Sequence, residues 1–254
     1  MTDSLVLSAL EFDVLWEALD LPPKHVALDV PSPGKTHTER RELVAQAWRS
    51  LADRGLADGT RPDGELLDRL MLLARPELSI DSWVWTDREI SALAAVSGDQ
   101  AVLAVLDGDE VWLIPARDTA LAEAAVSIAG ELGPGPGRSV SLPSDVLQEA
   151  DEQAKGDPHR FISALDELRV DLGDAQALAG MLSGAVLRGQ VGVERRRRDQ
   201  RMMRADRVVA FHDTAAGRYL YLRKPSTDGR QWSTVTPADN RRLSASVQEL
   251  LDEV

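Results

Sequence analysis

Ala101-Val-Leu-Ala-Val-Leu106, then Asp107-Gly108-Asp109, then Glu110-Val-Trp-Leu-Ile-Pro115 is the stretch on which the fold turns. Two apolar runs of strand length meet at Asp-Gly, a dipeptide whose glycine accepts the backbone of a tight hairpin turn. The first run is apolar at every position, which predicts a strand covered on both faces. Asp107 and Asp109 could suggest a metal-binding pair, but the hairpin turn explains them. Asp118–Leu132 (DTALAEAAVSIAGEL) then predicts a helix. The same succession returns near the other end. RVVAFHD and RYLYLRK are joined by Thr-Ala-Ala-Gly (214–217), followed by QWSTVTP and a helix in ADNRRLSASVQELLDEV. In each copy a proline, Pro115 or Pro237, stands between the last strand and the helix, with Asp118 or Asp239 just after it. Proline suits a first helical turn, whose N–H has no partner, and aspartate offsets the positive end of the helix dipole.

The flanking chain supplies helices and further strands. Val6 and Leu7 suit a short strand. Ser8 with Glu11 is a capping box opening a helix with the stripe Leu10, Val14, Leu15, Ala18 and Leu19, and Trp16 beside it reads as a packing residue. Val26–Glu39 reads as a short extended piece and a proline-rich turn. Thr36 with Glu39 opens a second helix, stopped by Gly55, and a third carries Leu66, Leu67, Leu70, Met71 and Leu73 and ends before Pro76. Residues 57–64 read as loop. Leu78–Trp85 and Glu89–Ser97 read as strands. Gly133-Pro-Gly-Pro-Gly137 reads as a linker, because its prolines lack the N–H groups a phosphate loop needs. SVSLP reads as a strand, and helices are predicted at Pro143-Ser144, at Asp157-Pro158, and over 174–187 with an end at Gly189. Gly189–Gln200 opens the second sheet segment.

The predicted class is α/β of the α+β type: a central antiparallel sheet flanked by helices, in two quasi-symmetric halves. The division is 1–132, a linker at 133–142, and 143–254 with a helical bundle, all in one compact domain.

Composition narrows the function. With 43% hydrophobic residues the chain is globular, and a net charge of −13 with pI about 4.8 argues against unspecific binding to DNA or anionic membranes. Cysteine is absent, so there is no thiol chemistry, and His25, His37, His159 and His212 are scattered without metal-ligand spacing. No nucleophile elbow, Walker loop or dinucleotide fingerprint occurs. No catalytic residue, metal or cofactor is therefore assigned. The start, Met1–Leu10, lacks the basic segment of a signal peptide, and no apolar run reaches membrane-span length; both point to the cytoplasm. Glu194-Arg-Arg-Arg-Arg198, with Arg201 and Arg204, suits either a nucleic-acid or acidic-protein contact or a solvated strand end and hairpin tip, and the acidity of the chain favours the tip. Trp83 and Trp85 alternate onto one strand face, either as partner-binding anchors beside Arg88 and Glu89 or as a face packed under a helix.

Several stretches together resemble the EspG family of ESX (type VII) secretion-associated proteins of actinobacteria. They are Leu7–Leu21, Val30–Gly34 (VPSPG), Ile90–Val126, Gly133–Leu147, Arg188–Val193 (RGQVGV), Phe211–Arg223 and Trp232–Leu251. The resemblance implies two related α/β halves sharing an antiparallel sheet. It also implies a cytosolic chaperone that binds the helical tip of the PPE protein in a PE–PPE heterodimer, without catalysis. The contact surface it implies is the turn Trp85, Thr86, Asp87, Arg88 and Glu89, with the helix after Asp174 represented by Gln176 and Met181. A monomer and a homodimer are both compatible, and no nucleic acid or membrane is called for. Two rival readings stand beside this one: a nucleic-acid-associated regulator working through Arg195–Arg204, and a small-molecule enzyme with a pocket between the halves.

Overall fold

The computed structural model describes residues 4–254; Met1–Asp3, part of the N-terminal stretch read above, lie outside them. The chain forms two compact units built from interleaved segments. One contains the chain through Trp83, Glu89–Ile128 and Glu194–Met203; the other contains Val84–Arg88, Ala129–Val193 and Arg204–Val254. The fold is mixed α/β with antiparallel strands and eight α-helices among the described residues.

In the first unit the chain runs through β1 (Leu5–Ser8), α1 (Ala9–Ala18), α2 (His37–Asp53), the two-residue strands β2 (Ala57–Asp58) and β3 (Arg61–Pro62), and α3 (Gly64–Ala74). It continues through β4 (Leu78–Trp85), β5 (Glu89–Ser97), β6 (Gln100–Asp107), β7 (Glu110–Ala116) and α4 (Leu121–Val126). The strand order is β1-β7-β6-β5-β4. The hairpin read from Asp107-Gly108-Asp109 is present, with Asp107 paired to Glu110 and Gly108 at φ +60. The capping boxes expected at Ser8 and at Thr36 form: Ser8 and Glu11 exchange hydrogen bonds at the start of α1, and Thr36 and Glu39 do so at α2. Leu15 and Phe12 from α1, Trp48 and Leu51 from α2, and Leu66 and Leu70 from α3 bury against Leu93, Val102, Ala104 and Leu113. Ala92, Ala94 and Leu103, at the alternate positions of β5 and β6, are also buried, and α4 packs on these two strands. AVLAVL is thus covered on both faces, as its composition predicts.

Three details of this unit differ from the sequence reading. The extended piece expected after Val26 is a 3-10 turn, Val26–Leu28, because the His25 ring accepts the Ala27 N–H and Leu28 sinks into the core. Residues 57–62, read as loop, close into a minimal hairpin. Pro115 lies inside β7, opposite Val102 and beyond the residues paired with β1, where one side of the strand needs no donor. The helix expected over 118–132 is correspondingly reduced to α4 between two 3-10 turns.

The second unit holds β8 (Val140–Pro143), α5 (Ser144–Ala154), α6 (Pro158–Glu167), α7 (Leu172–Leu182), β9 (Ala185–Arg196), β11 (Val209–Thr214), β12 (Gly217–Pro225), β13 (Gln231–Pro237) and α8 (Asn240–Leu251). The short β10 (Met202–Arg204) pairs with β9, and the hairpin joining them belongs to the first unit. The order here is β9-β11-β12-β13-β8. Leu147, Phe161, Leu165 and Leu178 from α5 to α7 bury with Val140, Leu142, Tyr219 and Val235, while α8 lies on β11. Pro237 is the last residue of β13, not the first of α8; Asp239 caps that helix by accepting the Arg242 N–H. Gly133–Gly137 is a packed strap: Gly135 N–H donates to Arg218 O and Arg218 N–H to Gly133 O. A Cβ on Gly135 would sit 2.2 Å from the Tyr219 ring, so only glycine fits.

Candidate partner-binding surface

The turn between β4 and β5 is short and pinned. Thr86 N–H donates to Arg88 O at 2.9 Å, and the Thr86 hydroxyl donates to Asp87 Oδ1 at 2.7 Å. That hydroxyl holds the Asp87 carboxyl below the usual carboxylate range. Asp87, Arg88 and Glu89 are exposed, and the Trp85 side chain is 36% exposed. Trp83, expected on the same face, is half-buried and donates its indole N–H to Asp81 at 3.2 Å. The two tryptophans therefore divide: Trp83 packs, and Trp85 is presented. Val84–Arg88 groups with the unit that also contains α7.

α7 opens on Asp171, whose carboxylate accepts the N–H groups of Gly173 and Asp174. Arg138 pairs with Asp174 at 2.5 Å. Leu172, Gly173, Gln176 and Gly180 are exposed, with Leu172 at 50%. Gln176 is on the outside as expected. Met181 is not: it is 2% exposed and packs among Phe161, Leu165 and Tyr219, because helical spacing places it with Leu178 and Ala175 on the core face. The helix also stops at Leu182 rather than near Gly189. Gly184 takes φ +71, and the chain turns directly into β9. Val186, read as helical, is instead a strand residue 65% exposed. Only the change of direction at Gly184 shows this, and Gly184 itself was the available signal. Sequence reasoning also missed a cavity of about 430 Å³ bounded by Phe161, Pro158, Leu182 and Ala185, with Asp157 and Arg188 in its wall.

The second unit thus exposes the apolar groups Trp85, Leu172 and Val186 and the polar groups Asp87, Arg88 and Gln176. Interfaces combine aromatic anchors with polar rims in this way. Among the described residues no group of three or more His, Asp or Glu side chains could hold a metal ion, and no helix is long and apolar enough to cross a membrane. His212 lies in the core, stacked on Tyr219 with Nε2–H donating to Met181 O at 2.8 Å. His25 caps the 3-10 turn and stands 3.8 Å from Glu194.

No curated protein sequence matches the chain. Among solved structures it is similar to the Mycobacterium tuberculosis type VII secretion system chaperone EspG5, determined in complex with a PE25–PPE41 dimer. The TM-score is 0.77 at 16% identity, over 98% of this chain and 96% of that one, so the two share a fold. The EspG family matches residues 8–249, including both copies of the strand–turn–strand unit and the helices between them. With that span matched, the chain belongs to the EspG family.

Proposed function

We propose that this protein is a chaperone of a type VII secretion system that binds the PPE tip of a PE–PPE heterodimer in the cytoplasm. In this reading it keeps the pair soluble for export and performs no catalysis. The observation that carries the reading is family membership over residues 8–249, joined to a fold shared from end to end with a chaperone solved on its PE–PPE dimer. The local surface supports it. A secreted helical pair exposes an apolar tip that would aggregate unprotected. Trp85, Leu172 and Val186 offer apolar contact, Asp87, Arg88 and Gln176 supply polar groups, and the cavity beside α7 can accept one protruding side chain. Met181 has no direct part in this surface; it supports α7 from beneath.

Co-expression with the PE–PPE pair encoded nearest to its gene, followed by size exclusion, tests the proposal. One peak containing all three chains is the expected result. Separate elution of this chain and a pair that is soluble alone would overturn the assignment for that pair.

A further inference from the structure

The hairpin joining β9 to β10 carries Arg195, Arg196, Arg197, Arg198 and Arg201. It is not a loose tip. Arg196 N–H donates to Glu77 O at 2.7 Å, its Nε donates to Pro76 O at 2.9 Å, and Arg197 N–H donates to Arg201 O at 2.8 Å. These bonds fix the hairpin against the start of β4. A cleft of about 600 Å³ results, with Leu78 and Val96 in its wall, Arg75 contributed from the end of α3, and Arg195–Arg198 from the hairpin. One carboxylate, that of Glu77, lines it together with these five guanidinium groups, and Glu77 is engaged by Gly98 N–H at 3.4 Å.

Elsewhere the chain pairs many of its cations with its abundant carboxylates, as in Arg40–Asp13, Arg54–Glu11, Arg207–Glu253 and Arg230–Asp145. Among the described residues, the side chains of Arg75, Arg197, Arg198 and Arg201 have no carboxylate within ion-pair distance, and all four are exposed. A protein of net charge −13 thus keeps Arg75, Arg197 and Arg198 of this cleft without an ion-paired carboxylate.

We propose that this cleft docks a short acidic segment of a partner protein. Guanidinium forks match carboxylates in bidentate geometry, and the Leu78 and Val96 side chains suit apolar residues interleaved with the acids. A long polyanion extending beyond the cleft would meet the negative field of the remaining surface, which disfavours nucleic acid. The site lies in the first unit and does not depend on the PE–PPE reading.

Fluorescence anisotropy with the full chain tests it, using a labelled peptide of alternating Glu and Leu, the same peptide with Gln for Glu, and a labelled single-stranded oligonucleotide. The acidic peptide should bind and weaken as salt rises through the physiological range, while the Gln peptide should not bind. Arg75→Ser with Arg197→Ser and Arg198→Ser should weaken the acidic peptide about tenfold or more, as loss of several charge-assisted contacts implies. Arg117→Ser with Arg223→Ser and Arg241→Ser changes net charge equally at exposed positions and should bind like the parent. Circular dichroism should show the same melting for all three proteins. Absence of acidic-peptide binding at low salt, equal loss in both variants, equal binding of the Gln peptide, or tighter binding of the oligonucleotide would each overturn the proposal.

Discussion

Arg218 is fully buried, and its environment shows how one residue organises the second unit. Its Nε and Nη2 donate to the two oxygens of Asp213 at 2.7 and 2.9 Å, Nη2 also donates to Ala129 O, and Nη1 donates to Asn240 at the start of α8. The guanidinium lies 5.0 Å from the Phe211 ring centroid. Removing Asp213 would leave a buried cation without its counter-ion. Asp213→Ala should therefore cost about 3–5 kcal/mol in urea unfolding, the usual range for breaking a buried pair; a loss below about 1 kcal/mol, the scale of a surface pair, would show that Asn240 and the carbonyls suffice. Asp13 plays a similar part in the first unit. It is 3% exposed and holds Lys24 at 2.8 Å, Ser32 at 3.0 Å and Arg40 at 2.8 Å, tying the VPSPG segment to α1. Burial pushes its carboxyl up, but the Lys24 and Ser32 hydrogen bonds, the Lys24 charge and Arg40 outweigh this and hold it below its ordinary value. A carboxyl lowered by folding stabilises fully above its unfolded pKa, about 4, and loses that contribution as pH falls through the folded value. Asp13→Asn should thus melt below the parent at pH 7, and the gap should close on the acid side of pH 4. A gap independent of pH would assign the loss to packing instead.

At the scale of elements, the helix starts were legible because capping is local. Ser8 with Glu11 and Thr36 with Glu39 bond within four residues of chain, so spacing alone reveals them. The end of α7 was misread because the apolar period of Leu178, Met181 and Leu182 runs on through Ala185 and Val186, which the chain places in β9 instead. The same period hid the burial of Met181: spacing identifies an apolar face, and that face is the one turned to the core. The turn after β4 was legible as a turn, and its pinned geometry bears on binding. Trp85 and Arg88 sit on backbone held by Thr86, so truncating both removes contact area without releasing the turn. Trp85→Ala with Arg88→Ala should weaken capture of the PE–PPE pair by about 2 kcal/mol or more in calorimetry, the scale of an anchoring aromatic, with melting little changed. Unaltered affinity would remove this turn from the binding surface.

For the whole molecule, the charge balance of −13 and pI near 4.8 belongs to the sequence and sets colloidal behaviour. Self-repulsion fades toward the isoelectric point, so light scattering should rise as pH approaches 4.8 and fall again when neutral pH is restored. Scattering unchanged across that range would show that solubility rests on something other than net charge. By itself the sequence determined the α/β class, the antiparallel hairpins, the two similar strand–turn–strand units and most helix starts. These follow from periodicity, turn chemistry and caps, all of which act over a few residues. Only the tertiary structure decided what distant residues share. It placed Val84–Arg88 in the unit of α7, made the Gly133–Gly137 linker a strap on β12, and set Arg75 beside Arg195–Arg198. It also chose which of Trp83, Trp85, Gln176 and Met181 face solvent. Exposure and juxtaposition depend on which faces are covered by elements far away in the chain, and local pattern carries no record of that covering.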